Sequence, residues 1–149
     1  YIIPDEFSVG GAVLGLGLSL LPGGIGPGAA ALGAAVGYGS LWLVAVGGTW
    51  VIRRVSPGRL EEAGVDRAMG GGDVKMMMMV GAFVGVWGVV ETIFLGSVLA
   101  LLVFGVVASL SKRLIPLGVF LAAAGALTWV WGDAMLAWYL EAVVGMPPP

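Results

Sequence analysis

AAALGAAVGYGSLWLVAVGGTWVI, residues 29–52, holds no charged side chain and stops at Arg53-Arg54. About 20 predominantly apolar residues are enough for a helix to cross the hydrocarbon of a bilayer. Ahead of it lies Pro22-Gly23-Gly24-Ile25-Gly26-Pro27-Gly28, which ends any helix begun earlier. Working outward, residues 5–21 form a first candidate span and residues 76–90 and 92–110 a third and fourth, turning near Glu91. Residues 114–131 form a fifth, followed by Gly132-Asp133. The tail, residues 134–144, is short for a span. With Trp138, Tyr139 and Glu141 it suits the membrane interface or a partial span. The predicted fold is all-α: a polytopic membrane helix bundle of about five transmembrane helices plus a C-terminal interfacial or partial helix.

Composition supports this class. Of 149 residues, 59% are hydrophobic and only 11% charged, and the mean hydropathy is +1.04. Soluble domains carry about 25% charged residues, and a chain this short could not hide so much apolar surface in its own core. That excludes a soluble globular enzyme and a disordered segment. Seven basic against nine acidic residues leave no basic excess for nucleic acid. The absence of Cys and His removes disulfides, thiol nucleophiles, imidazole bases and nearly every zinc or haem site. Carboxylates, Lys, Arg, hydroxyls and backbone remain.

The basic residues set the expected orientation. Arg53, Arg54, Arg59, Arg67 and Lys75 share the polar stretch 53–75, and Lys112 and Arg113 share another. Two expected spans separate the stretches, so both face the cytoplasm by the positive-inside rule. Pro4-Asp5-Glu6 falls on the same side, while Glu91 and Asp133 fall outside. The opening Tyr1-Ile2-Ile3-Pro4-Asp5 reads as neither a natural start nor a signal peptide, so residues 1–149 are expected to be one membrane-embedded domain from a longer chain. Pro147-Pro148-Pro149 stops any helix.

Many of the 27 glycines fall four apart: Gly11 with Gly15, Gly33 with Gly37, Gly81 with Gly85. Small residues at that spacing let helix backbones approach closely in lipid, and such packing accounts for most of them. Met76-Met77-Met78-Met79 projects around the whole helix and reads as adaptable packing, not a copper site.

Gly70-Gly71-Gly72-Asp73-Val74-Lys75 lies where the polar stretch becomes a membrane helix. On local chemistry the favoured role for Asp73 is an N-cap, accepting from free amides of the first turn. A phosphate cradle lacks the P-loop spacing and its Lys-Ser/Thr ending. The third role is catalytic. Two carboxylates can hydrolyse a peptide bond without His, Cys or metal, one activating water and the other protonating the carbonyl or leaving amine. Asp5, Glu6, Glu61, Glu62 and Asp66 share the expected face with Asp73. Of these, Glu61, Glu62 and Asp66 lie among Arg59 and Arg67 as a solvated patch, and Asp5 suits a cap. Lys75 could orient a carboxylate, with snorkelling to lipid headgroups the favoured role. The rival to a protease is a non-enzymatic membrane protein, a small transporter or assembly subunit, with Asp73 as cap or ion ligand. Transporters place ionisable residues near mid-membrane, whereas these sit at boundaries, which favours the protease.

Residues 68–76, Ala68-Met69-Gly70-Gly71-Gly72-Asp73-Val74-Lys75-Met76, continuing through Gly81-Ala82-Phe83-Val84-Gly85, closely resemble the signature of the type IV prepilin peptidases, membrane aspartic proteases of the GxGD kind. Ile2-Ile3-Pro4-Asp5-Glu6-Phe7-Ser8 resembles the segment just after the family's first catalytic aspartate, and Ile115-Pro116-Leu117-Gly118-Val119-Phe120-Leu121 resembles a late helix. The resemblance implies that Asp73 is one catalytic aspartate, supported by Gly70, Gly72 and Lys75. It implies that the other lies on a preceding helix, upstream of Tyr1, and that Asp5 is not the usual catalytic acid. The family's cytoplasmic domain, with its cysteines and N-methyltransferase activity, has no counterpart in these residues. Further implied are prepilin or pseudopilin substrates, no cofactor or metal, a bacterial inner-membrane location, and leader cleavage at the cytoplasmic face. By the same resemblance, residues 1–149 alone are expected to be inactive.

Overall fold

In the computed structural model, which describes residues 4–62, 64–107 and 117–147, helices dominate. They are α1 (Asp5–Leu18), α2 (Pro27–Val55), a single turn α3 (Arg59–Glu62), α4 (Gly71–Val107) and α5 (Leu117–Tyr139), which a π-helical turn extends over Leu140–Val144. Among the described residues, three stretches have the length and apolarity to cross a membrane: Pro27–Val55, Gly71–Val103 and Leu117–Val144. A helical membrane protein is the result. The sequence reading counts about five spans, and the two counts differ at identifiable places.

The first place is α1. Its 14 residues rise about 21 Å, short of the roughly 30 Å hydrocarbon core. Leu18 is its last residue, and Ser19 turns the chain, its buried hydroxyl donating to the Leu16 carbonyl at 2.6 Å. The second place is Glu91. The expected turn there is absent: Glu91 lies inside α4, and the helical path breaks six residues earlier, at Gly85 (φ 70°, ψ −173°). That backbone region is open essentially to glycine alone, so the interruption follows a glycine and not the charge. Gly132-Asp133 is the third. It does not end a span, because α5 runs through it to Tyr139. Gly132 is a packing residue. A Cβ there would lie 2.9 Å from Oε2 of Glu91 and 3.2 Å from Cγ2 of Thr128. The tail ends on Gly145 in the left-handed region (φ 71°), the Met146 amide donating to the Leu140 carbonyl at 3.0 Å. The expected loop at Lys112-Arg113 and Ile115-Pro116 lie outside the described residues.

The chain divides into two compact units, Tyr1–Val86 and Trp87–Pro149. In the first, close approaches fix the register. Asp5 meets Lys75, Gly11 faces Met79, and Gly15 faces Ala82, so α1 and the first half of α4 run parallel. Gly33 abuts Gly81 and Gly85 while Gly48 faces Ala68, so α2 runs antiparallel to that half. The buried stripe of α2 is Ala30, Gly33, Gly37, Leu41 and Ala45, all small but Leu41 and about one turn apart. This is the close packing expected where lipid removes the hydrophobic drive between helices. Large apolar side chains such as Phe7, Leu14 and Leu43 point outward instead, as they do on helices facing acyl chains. The second unit packs the same way: Gly96 of α4 lies against Leu121 of α5, and Val89 and Ala124 are buried.

Candidate active site

The polar stretch after α2 folds back on that helix. Thr49 donates its hydroxyl to the Ala45 carbonyl (2.6 Å) and accepts from the Ala68 amide (3.0 Å). One side chain thus ties residue 68 to α2, two residues before the first glycine of the Gly70-Gly71-Gly72 run. The sequence gives no signal for this role of Thr49, since a helical threonine bonding its i−4 carbonyl is commonplace. Near the end of α2, Arg54 stacks on Trp50 at 4.9 Å from the ring centre. A Trp and a cation at a helix end are the usual anchors at a membrane surface.

Helix α4 starts at Gly71, which makes Asp73 its third residue, and the Asp73 amide donates to the Gly70 carbonyl at 3.2 Å. The expected N-cap is not what the structure contains. Among the described residues no backbone amide donates to the Asp73 carboxylate. The third helical position is past the N-cap site, and a negative charge there still gains from the helix dipole. Buried Val74, Met76 and Met77 seat the turn. Asp73 itself is half-buried. Beside it the chain is open: a Cβ on Gly70 or Gly71 would meet nothing within 4 Å.

Lys75 does not snorkel alone. Its Nζ donates to Oδ2 of Asp5 at 2.5 Å, the one ion pair among the described residues. Asp5, read from sequence as a cap, is the first residue of α1, and the N-cap position belongs to Pro4, which offers no side-chain bond. The structure therefore brings Asp5 and Lys75 together and gives no direct bond between Asp5 and Asp73. Successive helical residues turn by about 100°. Lys75 on the α1 side thus leaves Asp73, two residues back, roughly 200° around α4.

A cleft of about 110 Å³ opens beside this turn, lined by Tyr38, Trp42 and Val46 of α2 together with Arg67, Gly71 and Lys75. A larger hollow of about 450 Å³ lies between the end of α2 and the following stretch, with Arg53, Ser56, Glu61 and Asp66 on its walls. Glu61, Glu62 and Asp66 are exposed, as a solvated patch should be. Among the described residues no group of three or more Asp, Glu, His or Cys side chains is placed to hold a metal ion.

Comparison with known proteins shows which family the chain resembles. The profile of the Type IV leader peptidase family matches residues 1–106, which include α1, α2, Asp73 and Lys75. A prepilin leader peptidase/N-methyltransferase of Aeromonas salmonicida (strain A449) is 30% identical over 148 residues, covering 96% of this chain and 46% of that protein. The proteins of the same name from Stutzerimonas stutzeri and Pseudomonas aeruginosa are 36% and 34% identical, over 73% and 75% of this chain and 35% and 36% of theirs. The chain thus spans less than half the length of these relatives. No solved structure matches it significantly. The chain belongs to the type IV leader peptidase family.

Proposed function

We propose that the complete protein is a membrane aspartic endopeptidase that removes the leader of type IV prepilins and related pseudopilins at the cytoplasmic face of a bacterial inner membrane. Asp73 is one of its two catalytic carboxylates. The other is an aspartate on the helix preceding α1, upstream of Tyr1. The observation that carries the reading is the surroundings of Asp73. It is a first-turn carboxylate to which no backbone amide donates among the described residues, next to glycines that leave room for a substrate backbone. Membership of the family supplies the reaction class.

In the proposed reaction the ionised carboxylate takes a proton from water as the oxygen attacks the scissile carbonyl. The protonated partner gives its proton to the carbonyl oxygen, which yields a tetrahedral gem-diol. As the C–N bond breaks, the proton taken from water passes to the leaving amine and a gem-diol hydroxyl returns a proton to the partner. The products are a leader ending in a carboxylate and a pilin beginning with an amine. Two close carboxylates divide these roles because their repulsion keeps one protonated while the other ionises. Gly70 and Gly72 keep side-chain bulk from the substrate strand, and both compact units serve one peptidase domain. The test is leader removal: the complete protein in detergent should shorten a prepilin on a gel without added metal or cofactor. A prepilin left intact under conditions where the protein is folded would overturn the reading.

Orientation has its own test. The 29 residues of α2 span about 43 Å, so its two ends should lie on opposite sides of the membrane. Single cysteines at Ser56 and at Gly28, where a Cβ meets nothing, are expected to react with an impermeant thiol reagent from the cytoplasmic and the opposite side respectively. Labelling of both from one side is the contrary result.

A further inference from the structure

The pair Lys75–Asp5 joins residues 70 apart in sequence, on two parallel helices, each within the first turns of its helix. Asp5 stands where the dipole of α1 favours an anion. Lys75 stands where the dipole of α4 disfavours a cation. A lysine at that position is therefore poorly explained by the stability of α4 itself. Nor is the pair needed to hold the helices together. With side chains 37% and 66% exposed, an ion pair contributes little in water. The α1–α4 register is already fixed by Gly11 against Met79 and Gly15 against Ala82. What the pair adds is local: it fixes how the first turn of α4 is rotated.

We propose that Lys75 is a positioning residue. By binding Asp5 it locks the rotation of the turn Gly71–Lys75 and so aims the Asp73 carboxylate away from α1, toward the face where its catalytic partner must stand. This rests on the peptidase reading of Asp73, and it assigns Asp5 the role of anchor and not that of the second catalytic acid. The chain enters α1 through an extended Pro4 (φ −59°, ψ 129°) whose carbonyl accepts from the Phe7 amide at 3.1 Å, so Asp5 is itself held at a defined point.

The experiment measures kcat and KM for leader removal by the complete protein carrying Lys75→Met, Asp5→Asn, Lys75→Arg, the exchange Asp5→Lys with Lys75→Asp, and Asp73→Asn. Misaiming a reacting group by about an ångström costs on the order of 100-fold in rate. Lys75→Met and Asp5→Asn should each lower kcat by about 10- to 100-fold, with KM moving by less than about 3-fold. Lys75→Arg keeps the pair and should hold kcat within about 3-fold, and the exchange should recover most of the Lys75→Met loss. A purely structural role predicts less folded protein but an unchanged kcat per folded molecule. Lys75→Met with parental kcat, beside an inactive Asp73→Asn, would overturn the positioning role and leave the peptidase reading standing. An exchange with no recovery would also overturn it. Active Asp73→Asn would overturn both.

Discussion

Asp73→Asn in the complete protein is expected to lower prepilin cleavage by about 10³-fold or more while the protein still folds. Proton transfer by a placed side chain is typically worth 10²–10⁴-fold, and a carboxylate in a dyad also supplies the charge that keeps its partner protonated. Asparagine matches aspartate in shape but neither takes nor gives that proton. The structural cost should be small. No backbone amide among the described residues donates to the Asp73 side chain, so the change forfeits only the dipole term, about 0.3–1 kcal/mol. Gel-shift cleavage and thermal unfolding in detergent measure the two quantities separately. Parental cleavage by this variant would remove Asp73 from the chemistry and favour a non-enzymatic membrane protein.

The contrast between Asp73 and Lys75 shows what could be read from sequence. The charge-free run 29–52, ended by two arginines, became α2 nearly as drawn, because a bilayer imposes a length and polarity that sequence records directly. Asp73 was findable for a similar reason: a lone acid after three glycines, at the edge of an apolar helix, in a chain without His or Cys. Its placement inside the helix is not, since a start of α4 only three residues earlier, at Gly71 and not at Val74, turns a cap into a first-turn carboxylate. Lys75 reads from sequence as a lipid-facing cation because its partner, Asp5, is 70 residues away. That contact depends on a register written in Gly11, Gly15, Met79 and Ala82, none of which announces its neighbour. The break at Gly85 was hidden differently. With 27 glycines in the chain, nothing local marks the one that takes a positive φ within a helix, and the charge of Glu91 drew the expected turn six residues too late. Glu91 stays helical with its carboxylate against Gly132, where the missing Cβ makes room.

Gly33 is where the approach of α2 to α4 can be broken with the least chemistry. A Cβ built on it would collide with the carbonyl oxygen of Gly81 and lie 2.6 Å from Cα and 2.8 Å from the carbonyl carbon of Gly85. All three are backbone atoms, so no rotamer change relieves the contact and α2 must move from α4. Overpacking costs typically 1–3 kcal/mol, and a clash with backbone on two residues puts Gly33→Ala at about 3 kcal/mol or beyond. Gly39→Ala is the matched control. It lies on the same helix, with nothing within 4 Å of its Cβ, and should be neutral or gain up to about 1 kcal/mol from helix propensity. Unfolding in detergent, followed by tryptophan fluorescence, should separate the two variants clearly. Equal stability for both would mean that α2 does not meet α4 at Gly33. The same substitution reaches the chemistry. Gly33 grips α4 between the Asp73 turn and the Gly85 break, so parting the helices there frees the turn that Lys75 and Asp5 hold from the other side. Cleavage by Gly33→Ala should therefore fall by more than its loss of folded protein accounts for.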